Sequence, residues 1–529
     1  MKRTFSLLIS IALLLTGGIA SAATSEFYAT PGEPYEETVT VTSVRVVDPD
    51  YVSFDEGDDI ENNLWTRYYL EEHNLAVKYL WTVPEADTYT EKVNMQMLGE
   101  LPDFLKMNAN QYEQALEAGL LADISEVYET YASPALKERM TLTGGGVLEA
   151  GSKDGKLYAL VQETDWQSNS APILFIRGDW MEKLSLEAPK SVEDLMNIAR
   201  AFATQDPDGN GKDDTYGICI DQYYNLSYFF PMFNAYNGIW LEKEDGTYGY
   251  SSVQPEMREA LQQMQTYYKE GIFKPDYLTS TTNAQDLNTG KCGIFINNYV
   301  WPLIIMDGWE SNPELWWNFY PLPTVNGENY PAAGQAPNGY SEYWVVSKDC
   351  EHPEALIKLM NTFVDLQTND SSMLHDADGR PVYLYNAAAM NTPDNNYINY
   401  KLICDALESG DTSVLPVQAV QAYEFVTNYI NGSTAKNDWA YYYVFGPEGT
   451  QTVAQEYYIE PSNWVRDAWG ISPTEGMVAY ESSLTDLEKQ YFSRILMGEG
   501  IALFDEFVAS WNAMGGETIT AEVNAALAK

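Results

Sequence analysis

The sequence predicts an α/β fold built from more than one domain. Two observations predict it. Strand-like and helix-like segments alternate along most of the chain, and 529 residues with 45% hydrophobic content can fill more than one core. A βαβα rhythm of this kind argues for an open sheet with helices against it.

The elements follow in order after an acidic segment at 23–40. VTVTSVRVV (39–47) alternates with β-branched residues and reads as the first strand. An aromatic, amphipathic segment around Trp65 to Leu70 leads to NLAVKYLWTV (74–83), a second strand. MLGELPDFLKM (97–107) is a helix end, a turn and a short strand, and QYEQALEAGLLADI (111–124) carries apolar residues at helical spacing. ILFIR (173–177) is a buried strand. Ser191 and Asp194 form a capping box with Asp in place of Glu, and Leu195, Ile198, Ala199 and Phe202 share the face of the helix behind it. KCGIFIN and YWVVS (343–347) are strand-like, and His352-Pro353-Glu354 opens a helix that buries Leu356, Leu359, Met360 and Phe363. Near the end Phe504, Phe507, Val508 and Trp511 form a last stripe, which Gly515-Gly516 is expected to stop. These stripes are core.

The first residues point to export. Lys2 and Arg3 precede the 11-residue apolar run FSLLISIALLL, and Ala20 and Ala22 supply small residues at a cleavage site. Residues 1–22 read as a signal peptide, cut after Ala22. A lipid anchor would need a cysteine just behind the apolar run, and the first one is Cys219. The formal net charge of −47 repels nucleic acid and anionic lipid and suits a soluble surface outside the cell. Four scattered cysteines (Cys219, Cys292, Cys350, Cys404) do not make a disulfide framework; one or two bridges after export and buried free thiols are equally compatible with the sequence. Three histidines, none at HxxxH spacing, give no zinc motif and no nucleophilic triad.

DPDGNGKDDTYG (206–217) is the most legible motif. Read as a calcium loop, Asp206, Asp208 and Asn210 take positions 1, 3 and 5, Gly211 turns the chain, Lys212 offers its carbonyl and Asp214 stands at position 9. Gly217 replaces the bidentate glutamate of an EF-hand, and a strand-like segment, Thr215 to Ile220, follows instead of a helix. A structural Ca²⁺ clip between helix and strand is therefore expected. The competing reading is a solvated turn. A catalytic metal is disfavoured, because the loop fills the ion's coordination.

With 14 Trp and 39 Tyr, the chain is rich in aromatics, many in loop-like stretches. Flat rings cover the apolar faces of sugars while Asp, Asn, Arg and Gln bond to the hydroxyl rim. Trp166, Trp240, Trp301 and Trp439, each beside Asn, Asp or Gly, are the ligand-binding candidates.

Four segments, taken in order, give a resemblance to a known family: ELPDFLKMNANQYEQALEAGLLADISEVYETYASPALK, ILFIRGDWMEKLSLEAPKSVEDLMNIARAFATQDPDGNGKDDTYGI, EHPEALIKLMN and RILMGEGIALFDEFVASWNAMGGETITAEVN. The ordered set resembles the extracellular solute-binding proteins of family 1, in the branch serving oligosaccharide ABC importers. The resemblance implies a two-lobed α/β fold of the type II periplasmic-binding-protein kind, with a hinge and an inter-lobe cleft. It implies lobe 1 at 23–170 and 343–415, and lobe 2 at 171–342 with 416–529, boundaries approximate. The calcium positions carry over, with Thr215 standing where some relatives place an acid. Trp301 and Trp439 fall in segments that look like the cleft-lining regions of alginate-binding relatives. The departure is the missing lipoprotein cysteine.

The function expected is an exported, calcium-stabilised protein that binds an oligosaccharide and passes it to ABC permease subunits, as a monomer and with no catalysis. The negative charge favours a neutral glycan over a uronide. The alternative is a secreted glycoside hydrolase, which needs two carboxylates facing each other across a sugar. A surface adhesin is the third reading, weakened by the absence of repeats.

Overall fold

The computed structural model describes residues 32–527 except 50–51, 143–145, 164–165, 221–224, 276, 278–282, 337–339, 377–379, 414 and 470–472. The expected export signal at 1–22 lies outside the described residues.

The chain begins with a βαβ unit. Strand Val39–Val46 pairs in parallel with Leu75–Val83, and helix Leu64–His73 crosses between them. The helix starts where it does because the Asn63 carboxamide accepts from the backbone N–H groups of Trp65 and Thr66, while the Thr66 hydroxyl accepts from Asn63 N–H. Beside this unit Tyr340–Val346 returns from far along the chain to lie between Phe104–Met107 and Ala159–Glu163, antiparallel to both. The expected open sheet is thus several small sheets.

A second sheet has the order Trp317–Pro321, Ile173–Arg177, Cys292–Asn297, Tyr216–Ile218, with only the last pair parallel. Its two middle strands are buried at every residue, as expected of strands covered on both faces. Helix Val192–Thr204 covers one face and opens on the expected capping box, with Asp194 Oδ2 accepting from Ser191 N–H at 2.9 Å. It presses Leu195, Ile198, Ala199 and Phe202 into the core. The absence of a side chain on Gly293 permits this packing, since a Cβ there would lie 2.2 Å from the Phe202 ring.

The cores divide the molecule. One gathers residues from Tyr35 to Val161 and from Tyr343 to Met390; another gathers Leu174 to Ala332 with Trp469 to Val523. A third joins Phe175 and Phe295 to Trp439 and Tyr458, and a fourth joins Tyr299 to Tyr400, Ile403, Val426 and Val444. Helix Asn395–Ser409, expected with the first lobe, therefore packs with the second body. Its partners Val417–Ile430 and Lys436–Phe445 supply most of its apolar cover, so the expected boundary at 415 runs between packed helices.

Two helix ends also differ from expectation. The helix expected over 111–124 spans only Ala109–Glu117, because Gly119 turns left-handed at φ 65° and Leu121 bridges to Ser347. Gly515-Gly516 bends the chain without stopping it. Gly515 adopts φ 130°, and a further helix, Glu517–Leu527, follows at once.

Candidate functional site

The chain leaves the first body after Gln162, returns to it between Ala336 and Tyr340, and leaves it again after Met390, and the candidate site lies beside these three crossings. Side-chain bonds stitch the first crossing to the third. Gln162 Oε1 accepts from Asn391 N–H at 2.6 Å, and the Gln167 amide donates to Asp394 Oδ2 at 2.5 Å.

Between the bodies is a cavity of about 560 Å³. From the first body come Gln162, Glu163, Glu342, Gln367, His375 and Tyr383; from the second come Tyr299, Asn395, Asn396, Asn399, Gln421 and Tyr441. A neighbouring cavity of about 410 Å³ is lined by Arg45, Tyr89, Lys106, Asn108, Gln111 and Trp344. The two share Glu342, Phe363, Tyr383 and Asn391. Carboxamides and aromatic rings dominate, a surface suited to hydroxyl-rich ligands with apolar faces.

The electrostatics are restrained. Arg139 donates to Gln367 Oε1 at 2.7 Å and to the Met390 carbonyl at 2.5 Å, which fixes how the Gln367 carboxamide turns. Burial lowers the Arg139 pKa to about 10. Burial also holds His375 below the usual histidine value, favouring its neutral form. Lys106 pairs with Glu342 at 2.6 Å. Two buried polar atoms on the lining have no hydrogen-bond partner: Asn399 Oδ1 and Trp344 Nε1.

The four tryptophans singled out in the sequence do not converge here. Trp439 is 1% exposed and stacks on Trp309 at 5.5 Å; Trp240 is 4% exposed and packs against Tyr250. Both sit in cores, because the helix and strand that carry them turn those faces inward, and neither offers a face to a ligand. Trp166 and Trp301 are half-buried, against Trp464 at 5.3 Å and Phe295 at 5.2 Å. Neither lines either of these two cavities, but Asn169 on the same short helix as Trp166 lines the larger one, as do Tyr299, Val300 and Leu303 around Trp301. Sequence reasoning missed the residues that do line the cavity. The run DNNYIN (394–399) carried the only local signal, three asparagines close together on one helix start.

The acidic loop stands apart, on the second body. Asp206 takes φ 47°, its Oδ2 accepts from Gly211 N–H at 3.1 Å, and Lys183 Nζ reaches the Pro207 carbonyl at 2.7 Å. The Asn210 amide nitrogen donates to Asp208 Oδ2 at 2.7 Å and to Asp214 Oδ1 at 3.0 Å. Lys291 binds Asp214 Oδ2 at 2.5 Å, and together with Asn210 it lowers the Asp214 pKa. Among the described residues no three His, Cys, Asp or Glu side chains are grouped closely enough to hold a metal by themselves. All four cysteines are free thiols.

The family profile described as bacterial extracellular solute-binding protein matches residues 53–370, more than half of the chain. The chain belongs to this family. Among relatives, the polygalacturonan/rhamnogalacturonan-binding protein YtcQ of Bacillus subtilis is 28% identical over 236 residues, 43% of this chain and 45% of that protein. The fructooligosaccharide ABC transporter substrate-binding protein FusA of Streptococcus pneumoniae is 26% identical over 225 residues, 40% of each. Each match spans less than half the relative's length. The fold is that of the two-lobed solute-binding proteins: alginate-binding protein AlgQ2, in a structure without calcium ion, superposes with TM-score 0.65 at 15% identity, covering 95% of this chain and 100% of that one. A structure of a FusA EF-hand mutant with fructo-nystose gives TM-score 0.66 at 15% identity, covering 92% and 99%. No helix among the described residues is long and apolar enough to cross a membrane.

Proposed function

We propose that this chain captures an oligosaccharide in the cleft between its two bodies and delivers it to an ABC importer, as a monomeric binding protein and not an enzyme. The observation that carries the reading is the carboxamide- and tyrosine-lined cavity of about 560 Å³ beside the three crossings. Residues 35–161 with 343–390 act as one lobe and the remainder as the other, with the crossings as hinge. Sugar bound to one lobe favours the closed form, and the closed form engages the permease. The names of YtcQ and FusA support a carbohydrate ligand. The family and the apolar start at 5–15 support export.

A structural Ca²⁺ at 206–214 belongs to the same reading. The Asn210 amide group sits between the Asp208 and Asp214 carboxylates, the place a cation would take, and turning that amide over presents its oxygen instead. Asp206 Oδ1 is buried without a partner and supplies a further ligand. These residues fit a hard cation, with the Lys212 carbonyl as a backbone ligand.

A thermal-shift screen against neutral and acidic oligosaccharides tests the reading. At least one glycan is expected to raise the melting temperature, and failure of every glycan overturns it. New reducing ends on incubation would instead show a hydrolase.

A further inference from the structure

We propose that the cleft takes a neutral oligosaccharide longer than a disaccharide, laid across both cavities, and turns uronides away; this rests on the carbohydrate reading above. The length follows from the adjacency of the cavities. Those of about 560 and 410 Å³ adjoin at Glu342, Phe363, Tyr383 and Asn391, which line both, so a ligand that fills the two runs past these four side chains. Each alone falls in the range of roughly 300–1,000 Å³ that holds a small ligand.

The charge preference follows from what the walls can still donate. A uronide carboxylate needs a free cation or a bidentate guanidinium. Among the described lining residues the cations are Arg45 and Lys106, and both are engaged. Arg45 bonds to the Asn386 carbonyl at 2.6 Å, the Leu384 carbonyl at 2.8 Å, and the Val46 carbonyl and Tyr79 hydroxyl at 3.3 Å. These use four of the guanidinium's five N–H groups, and three of them hold backbone carbonyls. Lys106 is bound by Glu342, so its charge is answered where the cavities join. Glu163 adds a second carboxylate to the walls, and the whole molecule carries a formal charge of −47.

The uncommitted groups suit hydroxyls. Asn399 is 5% exposed, lines the larger cavity, and its Oδ1 accepts from nothing. A sugar hydroxyl has a proton to give this acceptor, and a carboxylate does not. Trp344 Nε1, on the smaller cavity, is a donor without an acceptor, and a hydroxyl oxygen satisfies it equally. Both atoms are buried in this structure, so a polyol spanning both cavities meets them only as the side chains turn on cleft closure, and pairing them then relieves the cost of leaving them unpaired.

Calorimetric titration of the full chain with disaccharides and hexasaccharides of neutral glucan, mannan, xylan and fructan series, beside oligogalacturonides, tests this. A neutral hexasaccharide is expected to bind at least about tenfold more tightly than both its own disaccharide and any oligogalacturonide. An oligogalacturonide that binds more tightly than every neutral glycan overturns the charge assignment and leaves the carbohydrate reading standing. A disaccharide that matches its hexasaccharide overturns the two-cavity assignment. Silence from both classes removes the carbohydrate reading itself. Glu342→Gln, at a side chain 39% exposed, frees the Lys106 ammonium without disturbing a core, so oligogalacturonide affinity is expected to rise in this variant. No rise places the exclusion elsewhere and counts against the proposal.

Discussion

The acidic loop at 206–214 and the cleft are built on opposite plans. The loop is contiguous in sequence and lies on one body; Asn210 and Lys291 bind its Asp208 and Asp214 carboxylates, Lys183 holds its backbone, and Asp206 Oδ1 is left without a partner. The cleft is assembled from segments as far apart as Arg45 and Phe445, and it leaves Asn399 Oδ1 and Trp344 Nε1 unanswered. A region assembled from neighbours in sequence and held by two lysines of the same body is suited to holding structure together. One that keeps polar atoms unpaired at a cavity wall is suited to receiving something, since an empty acceptor there has a cost that a ligand relieves.

The sharpest way to break this contrast uses one helix that serves both purposes. In Lys436–Phe445, Trp439 is buried against Trp309, while Tyr441, two residues on, lines the cavity. Trp439→Ala should cost about 3–5 kcal/mol of stability, measured by denaturant unfolding. Tyr441→Ala should cost less stability than that, since the ring is only partly buried against Phe425 and Phe445, and should weaken glycan binding. If Trp439→Ala instead unfolds like the native chain and only loses ligand, the tryptophan is a sugar platform and the burial argument fails.

The next largest effect concerns the loop. With free calcium at about a hundred times its dissociation constant, chelation should remove roughly 2.7 kcal/mol of stability. A doubled Asp208→Ala, Asp214→Ala variant should already be at the chelated level and should not respond further. Glycan affinity, measured on the chelated native chain, should change little, because none of the loop residues lines either cavity. An unchanged melting temperature on chelation would falsify the calcium reading and return the loop to a solvated turn.

This division explains what could be read from residues alone. The capping box at Ser191, the stripe of helix Val192–Thr204 and the loop after it depend on neighbours within a few positions, and periodicity and spacing report such neighbours directly. The strands at 39–46, 75–83, 104–107 and 173–177 were legible for the same reason. Their partners were not. Tyr340–Val346 enters a sheet whose other strands end by Glu163, and nothing near residue 340 signals that pairing. The tryptophans misled because a loop-like flank of Asn, Asp and Gly says that the backbone turns, without saying which way the ring points. Trp439 lies within a helix and Trp240 starts a strand facing a core. Gln162 and Asn391 were silent because a carboxamide carries no periodic or charge signature, and only the fold brings them to one cavity with Asn399.

A smaller effect probes the unpaired acceptor. Asn399→Leu removes Oδ1 from the cavity wall while keeping similar bulk, so the loss should appear in binding and not in folding. Roughly 1 kcal/mol, near a fivefold weaker affinity, is expected for one neutral hydrogen bond to a sugar hydroxyl. Unfolding stability should hold or rise slightly, since a buried acceptor without a partner is removed. A fall in stability with affinity unchanged would mean that Asn399 serves the helix and not the ligand.

The smallest expected effect is a near-absence of pH dependence, and it tests the contrast at the level of charge. Both regions hold a group whose pKa is lowered, for opposite reasons. Asp214 is lowered by the Lys291 ammonium and the Asn210 amide, so the loop keeps its carboxylate ionised, and its contribution is present above the ordinary carboxylate range and lost as pH falls through the lowered value. His375 is lowered by burial, against a small opposing pull from Asp376, so the cleft keeps its imidazole neutral. An imidazole with an ordinary pKa would charge as pH fell from 7.5 to 6, and a desolvated cation facing the ligand would alter affinity over that window. With the pKa held below the ordinary value, affinity for a neutral glycan should vary by less than about twofold between those limits, and any loss should appear only at lower pH. Calorimetry at fixed ionic strength reads this directly. A large change between pH 7.5 and 6 that disappears in His375→Gln would show that the cleft does not shed its charge, and that the wall reads its ligand through an ionised ring.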